Sequence, residues 1–280
     1  MSRRPYTLLC LAAVSAAGAL AVWLAAFVVP GGRQLDAGAL ETFTGVASPP
    51  LTPRILGLAS LADPLPFAIA AAALLAIALL RRRWLMAAVV PLILLSANVV
   101  TQQLKPGLAD MRIVDVRGVD SVYPGSWPSG HSTASMSLAL CLVLVVGPRL
   151  RPLAAFAGAG YAIAVGYSLV VLGFHLPSDV LGGYLVAATF TLLGASGLAA
   201  AEARWPAVAA RTSGPPAALS APGLALLGVV GTALAGAALV VGAPDTTAEI
   251  MDHPVALAAA IGIAVLGLSL TTGLARVLRR

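Results

Sequence analysis

The chain has 280 residues, 59% of them hydrophobic and only 10% charged, and its mean hydropathy is +0.95. A water-soluble domain is about one-quarter charged, so the composition excludes a soluble globular protein. The net charge of +6 is not a nucleic-acid footprint, because the arginines sit in short loops between apolar stretches, where they meet anionic headgroups.

A membrane-crossing helix needs about 20 mostly apolar residues. Eight stretches are predicted to be such helices: 7–29, 65–80, 84–104, 131–147, 153–172, 179–200, 221–242 and 254–275, the second and fourth being short. The alternation of a membrane β-barrel is absent. The expected fold is therefore all-α, a polytopic membrane helix bundle. Ser2-Arg3-Arg4 ahead of an apolar run is also the pattern that opens a signal peptide, which is the alternative reading of the first stretch. The length of the run, and the lack of a clean small-x-small site after it, favour a retained span.

Segment 30–64 is expected to be irregular, broken by Pro30-Gly31-Gly32, Pro49-Pro50, Pro53 and Asp63-Pro64. Within it, Arg54 to Leu61 is mildly amphipathic and reads either as an interfacial helix or as a plain loop. Arg81-Arg82-Arg83-Trp84 and Pro148-Arg149-Leu150-Arg151-Pro152 read as topology anchors. Residues 203–220, with Trp205-Pro206 and Ser213-Gly214-Pro215-Pro216, read as a linker. The chain thus divides into a core over 1–202, a linker over 203–220 and a C-terminal helix pair within 221–280. Cys10 and Cys141 lie inside apolar spans and predict neither a disulfide nor a metal site.

With the N-terminus in the cytoplasm, alternating spans place 12 of the 17 basic residues inside, as the positive-inside bias requires. Glu202 is then the one acid of 11 on that side. Both termini are cytoplasmic in this arrangement. Three polar clusters fall together on the outer face.

The chain spends its one lysine and two of its three histidines in those clusters. Ionisable residues in a membrane protein are functional candidates by default. In the first cluster, Lys105 and Arg112 flank a turn predicted from Pro106-Gly107; the two cations suit a phosphate or simply snorkel to headgroups. In the second, Pro128-Ser129-Gly130-His131 opens a helix. The unpartnered first-turn N–H groups form an anion cradle beside a histidine, or Ser129 merely caps an ordinary helix. In the third, His175 precedes Pro177 and Asp179 at a helix start. A carboxylate one turn on can hold the imidazole and fix its tautomer. The cations disfavour a metal site and favour an anion.

Taken in order, these clusters resemble the signature of the type 2 phosphatidic acid phosphatase family, whose folds are related to soluble acid phosphatases and vanadium haloperoxidases. Lys105 and Arg112 match its first part in spacing, Pro128 to His131 match its second part in full, and Ser168, His175 and Asp179 match its third part in spacing. The likeness covers about 90–190 and the six-helix layout of the core. It departs at Ile113, where the family has proline, and at Leu169, where the family has a phosphate-clamping arginine.

The resemblance implies a six-helix phosphatase core, to which the apolar stretches add two C-terminal transmembrane helices. It implies a hydrolase of phosphoric esters or diphosphates that needs no metal or cofactor. Lys105, Arg112, Ser129 and Gly130 would hold the phosphoryl oxygens, and His175 would attack phosphorus to form a phosphohistidine. Asp179 would orient His175, and His131 would protonate the leaving group and then activate water. Leu169 implies a reduced rate unless Arg117 supplies the missing charge. The substrate expected is a prenyl or phosphatidyl phosphate, with membrane lipids as the surroundings. The alternative is a non-catalytic or weakly active member that binds or moves lipid phosphates or acts as a scaffold. The topology has a direct check: cysteines placed at Ser121 and Ala203 should label from outside and from inside respectively, and outer labelling of both would exclude the eight-span arrangement.

Overall fold

Seven of the eight apolar stretches fold as helices close to their expected bounds. The eighth, 221–242, lies outside the residues described by the computed structural model, which are 4–45, 51–108, 125–205 and 250–279. In chain order the described helices are α1 (Arg4–Phe27), α2 (Gly32–Gly45), α3 (Thr52–Ala59), α4 (Pro64–Leu80), α5 (Trp84–Leu108), α6 (Gly130–Val145), α7 (Arg151–Val171), α8 (Pro177–Arg204) and α9 (Pro254–Val277). A 3-10 turn, Ser60–Ala62, joins α3 to α4. No strand occurs among the described residues.

Helices α1, α5, α7, α8 and α9 are each long and apolar enough to cross a bilayer, and α3 with α4, bent by 49°, makes a sixth candidate span. The protein is a multi-pass membrane protein. The 16 residues of α6 rise only about 24 Å, less than the hydrocarbon thickness. They need not match the bilayer, because α6 is the hub. Every residue from Ser132 to Val145 is buried, against α4, α5, α7, α8 and α9. A helix buried all round can carry hydroxyls if each finds an acceptor. Thr133, Ser135 and Ser137 donate to the carbonyls of Ser129, Ser132 and Ala134 at 2.9, 3.2 and 2.9 Å; the Ser132 hydroxyl is the exception, buried without a partner among the described residues.

Two local expectations are corrected. The turn expected at Pro106-Gly107 is helix: α5 runs on to Leu108 with Pro91 and Pro106 inside it. A proline removes its own N–H bond and crowds the carbonyl four residues earlier, but the helix runs one further turn through the exposed Pro106 and Gly107. Segment 30–64 is mostly helical rather than irregular. Leu40 and Phe43 of α2 are buried with Ala39, and Phe43 stacks on Tyr167 with ring centroids 6.5 Å apart. That apolar stripe is too narrow to stand out in a polar segment. The amphipathic stretch near Arg54 is α3, with Ile55 and Ala59 buried.

Helix α9 packs on α7, α2, α8 and α6, and the Tyr167 hydroxyl donates to the Ala260 carbonyl at 2.7 Å. Lipid tails are as apolar as side chains, so helices in a membrane associate through close packing at small residues. Gly158 of α7 is such a point: a Cβ there would lie 2.9 Å from the Ala139 Cβ and 3.1 Å from its Cα. Gly197 of α8 faces open space. Gly158→Ala is therefore expected to destabilise the detergent-solubilised protein by about 1–3 kcal/mol through overpacking. Gly197→Ala should stabilise it by up to about 1 kcal/mol through helix propensity. Thermal melting of the two variants side by side checks the contrast.

Candidate active site

The third cluster is built by how α7 ends. Gly173 takes φ +73, its N–H reaches the Val170 carbonyl at 3.0 Å and the Phe174 N–H reaches the Leu169 carbonyl at 2.9 Å. This is a Schellman turn, which favours glycine because a Cβ is disfavoured at positive φ. It delivers His175 directly to the start of α8, where Leu176 is the N-cap and Pro177 the first helical residue. Asp179, in the first turn, is fully buried. Its Oδ2 accepts from the Leu176 N–H at 3.0 Å and lies 3.3 Å from His175 Nδ1. One carboxylate oxygen thus caps the helix and holds the imidazole, at the end where the helix dipole favours negative charge.

The second cluster opens α6. The Trp127–Pro128 bond is cis. Ser129 is the N-cap, and its side chain accepts from the Ser132 N–H at 3.2 Å. The Gly130 and His131 N–H groups occupy the first turn, which has no helical acceptors. Ser129 and Asp179 meet directly: the Ser129 N–H donates to the Asp179 backbone carbonyl at 3.0 Å. Two glycines of α8 permit the approach. A Cβ on Gly183 would stand 2.7 Å from the Ser129 carbonyl oxygen, and one on Gly182 would stand 2.6 Å from Trp127 Nε1.

The first cluster joins through α5. A Cβ on Gly130 would lie 3.1 Å from Gln102 Nε2 and 3.7 Å from Lys105 Nζ, so both side chains lie over the start of α6. The Asp179 charge also attracts the Lys105 ammonium. Lys105, Ser129, Gly130, His131, His175 and Asp179 are accordingly linked from one neighbour to the next. Arg112 and Arg117 lie outside the described residues. Leu169 is 1% exposed within the apolar core. Its carbonyl accepts from Phe174 and His175, so it serves the turn that carries the histidine.

The structure adds residues that the sequence reading passed over. Asp63 Oδ1 lies 2.9 Å from His131 Nε2. In sequence, Asp63-Pro64 reads only as a break at the end of segment 30–64; in the fold Asp63 makes no side-chain cap bond to α4, and its carboxylate reaches across to His131. Asp36 of α2 accepts from the Ser178 N–H at 3.1 Å and from the Ser178 hydroxyl, capping α8 from outside. Beside the cluster, Trp23 stacks on Phe27 and Phe27 meets Trp127 edge-on, with centroids 5.9 and 6.3 Å apart. Leu108 packs on the same group, so an apolar wall adjoins the polar residues.

Residues 84–201 match a family model described as the PAP2 superfamily. The fold is similar to the crystal structure of a transmembrane PAP2 type phosphatidylglycerolphosphate phosphatase from Bacillus subtilis, with a TM-score of 0.51 at 20% identity, covering 70% of this chain and 95% of that one. No curated protein sequence matches the chain.

Asp36 gives a test of how the site is held. Ser178 is buried, so Asp36→Ala strips the acceptor from a buried N–H and a buried hydroxyl. The expected loss is about 1–3 kcal/mol, read as a lower melting temperature in detergent. Asp36→Asn keeps one oxygen and should lose less.

Proposed function

Because residues 84–201 match a family model described as the PAP2 superfamily, we propose that this membrane protein is a lipid phosphatase working through a phosphohistidine on the outer membrane face. Its substrate is a phosphomonoester or diphosphate of a prenyl or phosphatidyl lipid. The observation that carries the reading is the junction at the start of α6 and α8. There the Ser129 N–H on the Asp179 carbonyl joins an anion cradle to a carboxylate-held histidine. The split of basic residues supports the outward-facing site and cytoplasmic termini. Residues 1–202 form the catalytic core, 203–220 the linker and 221–280 the appended helix pair.

The chemistry follows from which nitrogens are engaged. Asp179 faces Nδ1 of His175, so with the proton on Nδ1 the lone pair is on Nε2. In the first step Nε2 bonds to phosphorus as the bond to the leaving oxygen breaks, and protonated His131 gives that oxygen its proton. In the second, His131 takes a proton from water, the water oxygen bonds to phosphorus, the P–N bond breaks and orthophosphate leaves. Asp63 engages Nε2 of His131, which leaves Nδ1 for this transfer, and a carboxylate there stabilises the imidazolium that the first step requires. Lys105, Arg112 and the Ser129–Gly130 backbone stabilise the phosphoryl charge. The wall of Trp23, Phe27 and Trp127 receives the apolar part of the substrate.

The second reading, a binder without turnover, rests on Leu169, which occupies the clamp position and is buried in the core. Losing one transition-state donor costs about 10²–10³ in rate, against accelerations of at least about 10⁶ in enzymes. A slower enzyme fits better than an inert one, and Arg117 is the candidate replacement.

The test is orthophosphate release by the purified protein from phosphatidic acid, phosphatidylglycerol phosphate and a prenyl diphosphate. His175→Ala should abolish release from every substrate. His131→Ala should lower it by about 10²–10⁴. Asp63→Asn should lower it by about 10–100-fold, the worth of one hydrogen bond to a charged partner. Release undiminished in His175→Ala removes the nucleophile, and no release by the parent from any substrate favours the binder.

A further inference from the structure

The end of the bundle opposite His175 gathers arginines from segments far apart in sequence. Arg4 opens α1, Arg81 and Arg83 lie between α4 and α5, and Arg151 opens α7. In sequence Arg81, Arg83 and Arg151 read as topology anchors, which need only to reach the headgroup layer. In the fold they turn inward instead. Arg151 is 8% exposed, and its Nη1 donates to the Leu278 carbonyl at 2.8 Å. Arg4 Nη2 donates to the same oxygen at 3.3 Å, so two guanidinium groups converge on one acceptor. The Arg81 guanidinium lies over Gly147, with its nitrogens 3.3 and 3.4 Å from where a Cβ would stand. Arg83 pairs with Glu202 at 3.2 Å.

Among the described residues, arginines outnumber carboxylates at this place. Arg4, Arg81, Arg83 and Arg279 all repel Arg151. The opposing charges among the described residues are one carboxylate, Glu202, and the partial negative charge at the end of α9. The buried Nε groups of Arg151 and Arg81 have no hydrogen-bond partner, an arrangement that is costly unless something accepts from them. A cleft opens here, lined by Arg83, Arg151, Glu202 and Leu278, with Met86 and Leu144 giving it apolar wall. Cationic donors beside apolar wall, at the ends of membrane-spanning helices, fit an amphiphile with an anionic head.

We propose that this cleft binds the phosphate of an anionic phospholipid headgroup, held by its lining residues Arg83 and Arg151 with Arg81 adding positive charge beside it, as a site separate from the catalytic cluster. The planar fork of arginine suits phosphate oxygens. Burial, with Arg83 alongside, holds the Arg81 guanidinium below its ordinary pKa, which a bound anion would relieve. Such a lipid ties α1, α5, α7 and α9 together at the end of the bundle away from the chemistry.

The test uses the full chain in neutral detergent, with phosphatidylglycerol, phosphatidylcholine of the same acyl chains and inorganic phosphate as separate probes. Bound lipid is read by native mass spectrometry and stability by melting temperature. Phosphatidylglycerol should be retained and should raise the melting temperature more than phosphatidylcholine does. Arg81→Gln combined with Arg83→Gln should weaken this preference by about tenfold or more, while Lys105→Gln at the other end leaves it intact. Arg151→Gln should weaken it too, but Arg151 also holds α9, so the Arg81 and Arg83 pair is the deciding variant. A preference unchanged in that pair, lost with Lys105→Gln, or absent from the parent overturns the proposal. An equal arginine-dependent effect of inorganic phosphate overturns the lipid assignment in favour of a free anion.

Discussion

One backbone hydrogen bond, from the Ser129 N–H to the Asp179 carbonyl, ties the two helix starts on which the candidate site stands. It forms only because α8 passes very close to the beginning of α6. Gly183 permits this, since any side chain there would run into the Ser129 carbonyl. A backbone atom cannot rotate aside as a side-chain tip can. The polar residues around this crossing inherit their positions from it. Asp179 is placed by the first turn of α8, His175 by Asp179 and the Schellman turn, and the N–H groups of Gly130 and His131 by the start of α6. Lys105 and Gln102 then lie over Gly130 from α5.

A site of this kind has to satisfy its polar groups without bulk water. The protein does so by giving groups two tasks. Asp179 Oδ2 serves both the Leu176 N–H and the His175 ring. Asp36 meets two donors of Ser178 from a helix that covers the start of α8. Three hydroxyls of α6, on Thr133, Ser135 and Ser137, turn back onto carbonyls about one turn earlier, while the buried Ser132 Oγ has no partner among the described residues; the central column is thus buried on all sides and still begins at the site. His131 and Asp63 differ, with side chains 38% and 49% exposed. That exposure suits a pair whose proposed work is to pass protons to substrate and water, while the buried His175–Asp179 pair suits a nucleophile held in one orientation.

The two ends of the bundle handle charge differently. At the candidate site, each histidine faces a carboxylate and the lysine is aimed at a helix start. At the other end, arginines from α1, α7 and the turn between α4 and α5 crowd around one carboxylate and the C-terminus of α9. Residues that govern insertion topology need not be buried, so inward-facing Arg151 calls for a structural account of its own. Its bond to Leu278 supplies part of that account, and a bound anion supplies the rest.

The class of the protein and seven of its helices were legible in the chain by itself, because about 20 apolar residues in a row have few fates other than a membrane span. The His175–Asp179 pair was legible too, since both residues lie within one turn of a helix start marked by Pro177. Other features depended on segments far apart in sequence. Asp63 and His131 are 68 residues apart, Asp36 and Ser178 142, and no local period or spacing reports such meetings. Helix α2 was hidden because only a few of its residues touch the core, and α5 continued past Pro106 although that residue gives up its own N–H bond. Leu169 could be seen to replace a cation, but its place in the core came only from the packed helices. Composition and local spacing thus determined what must leave water and where helices begin. Which distant polar groups meet was decided by tertiary packing, because it depends on how closely helices cross, and that is set by pairs such as Gly183 and Ser129.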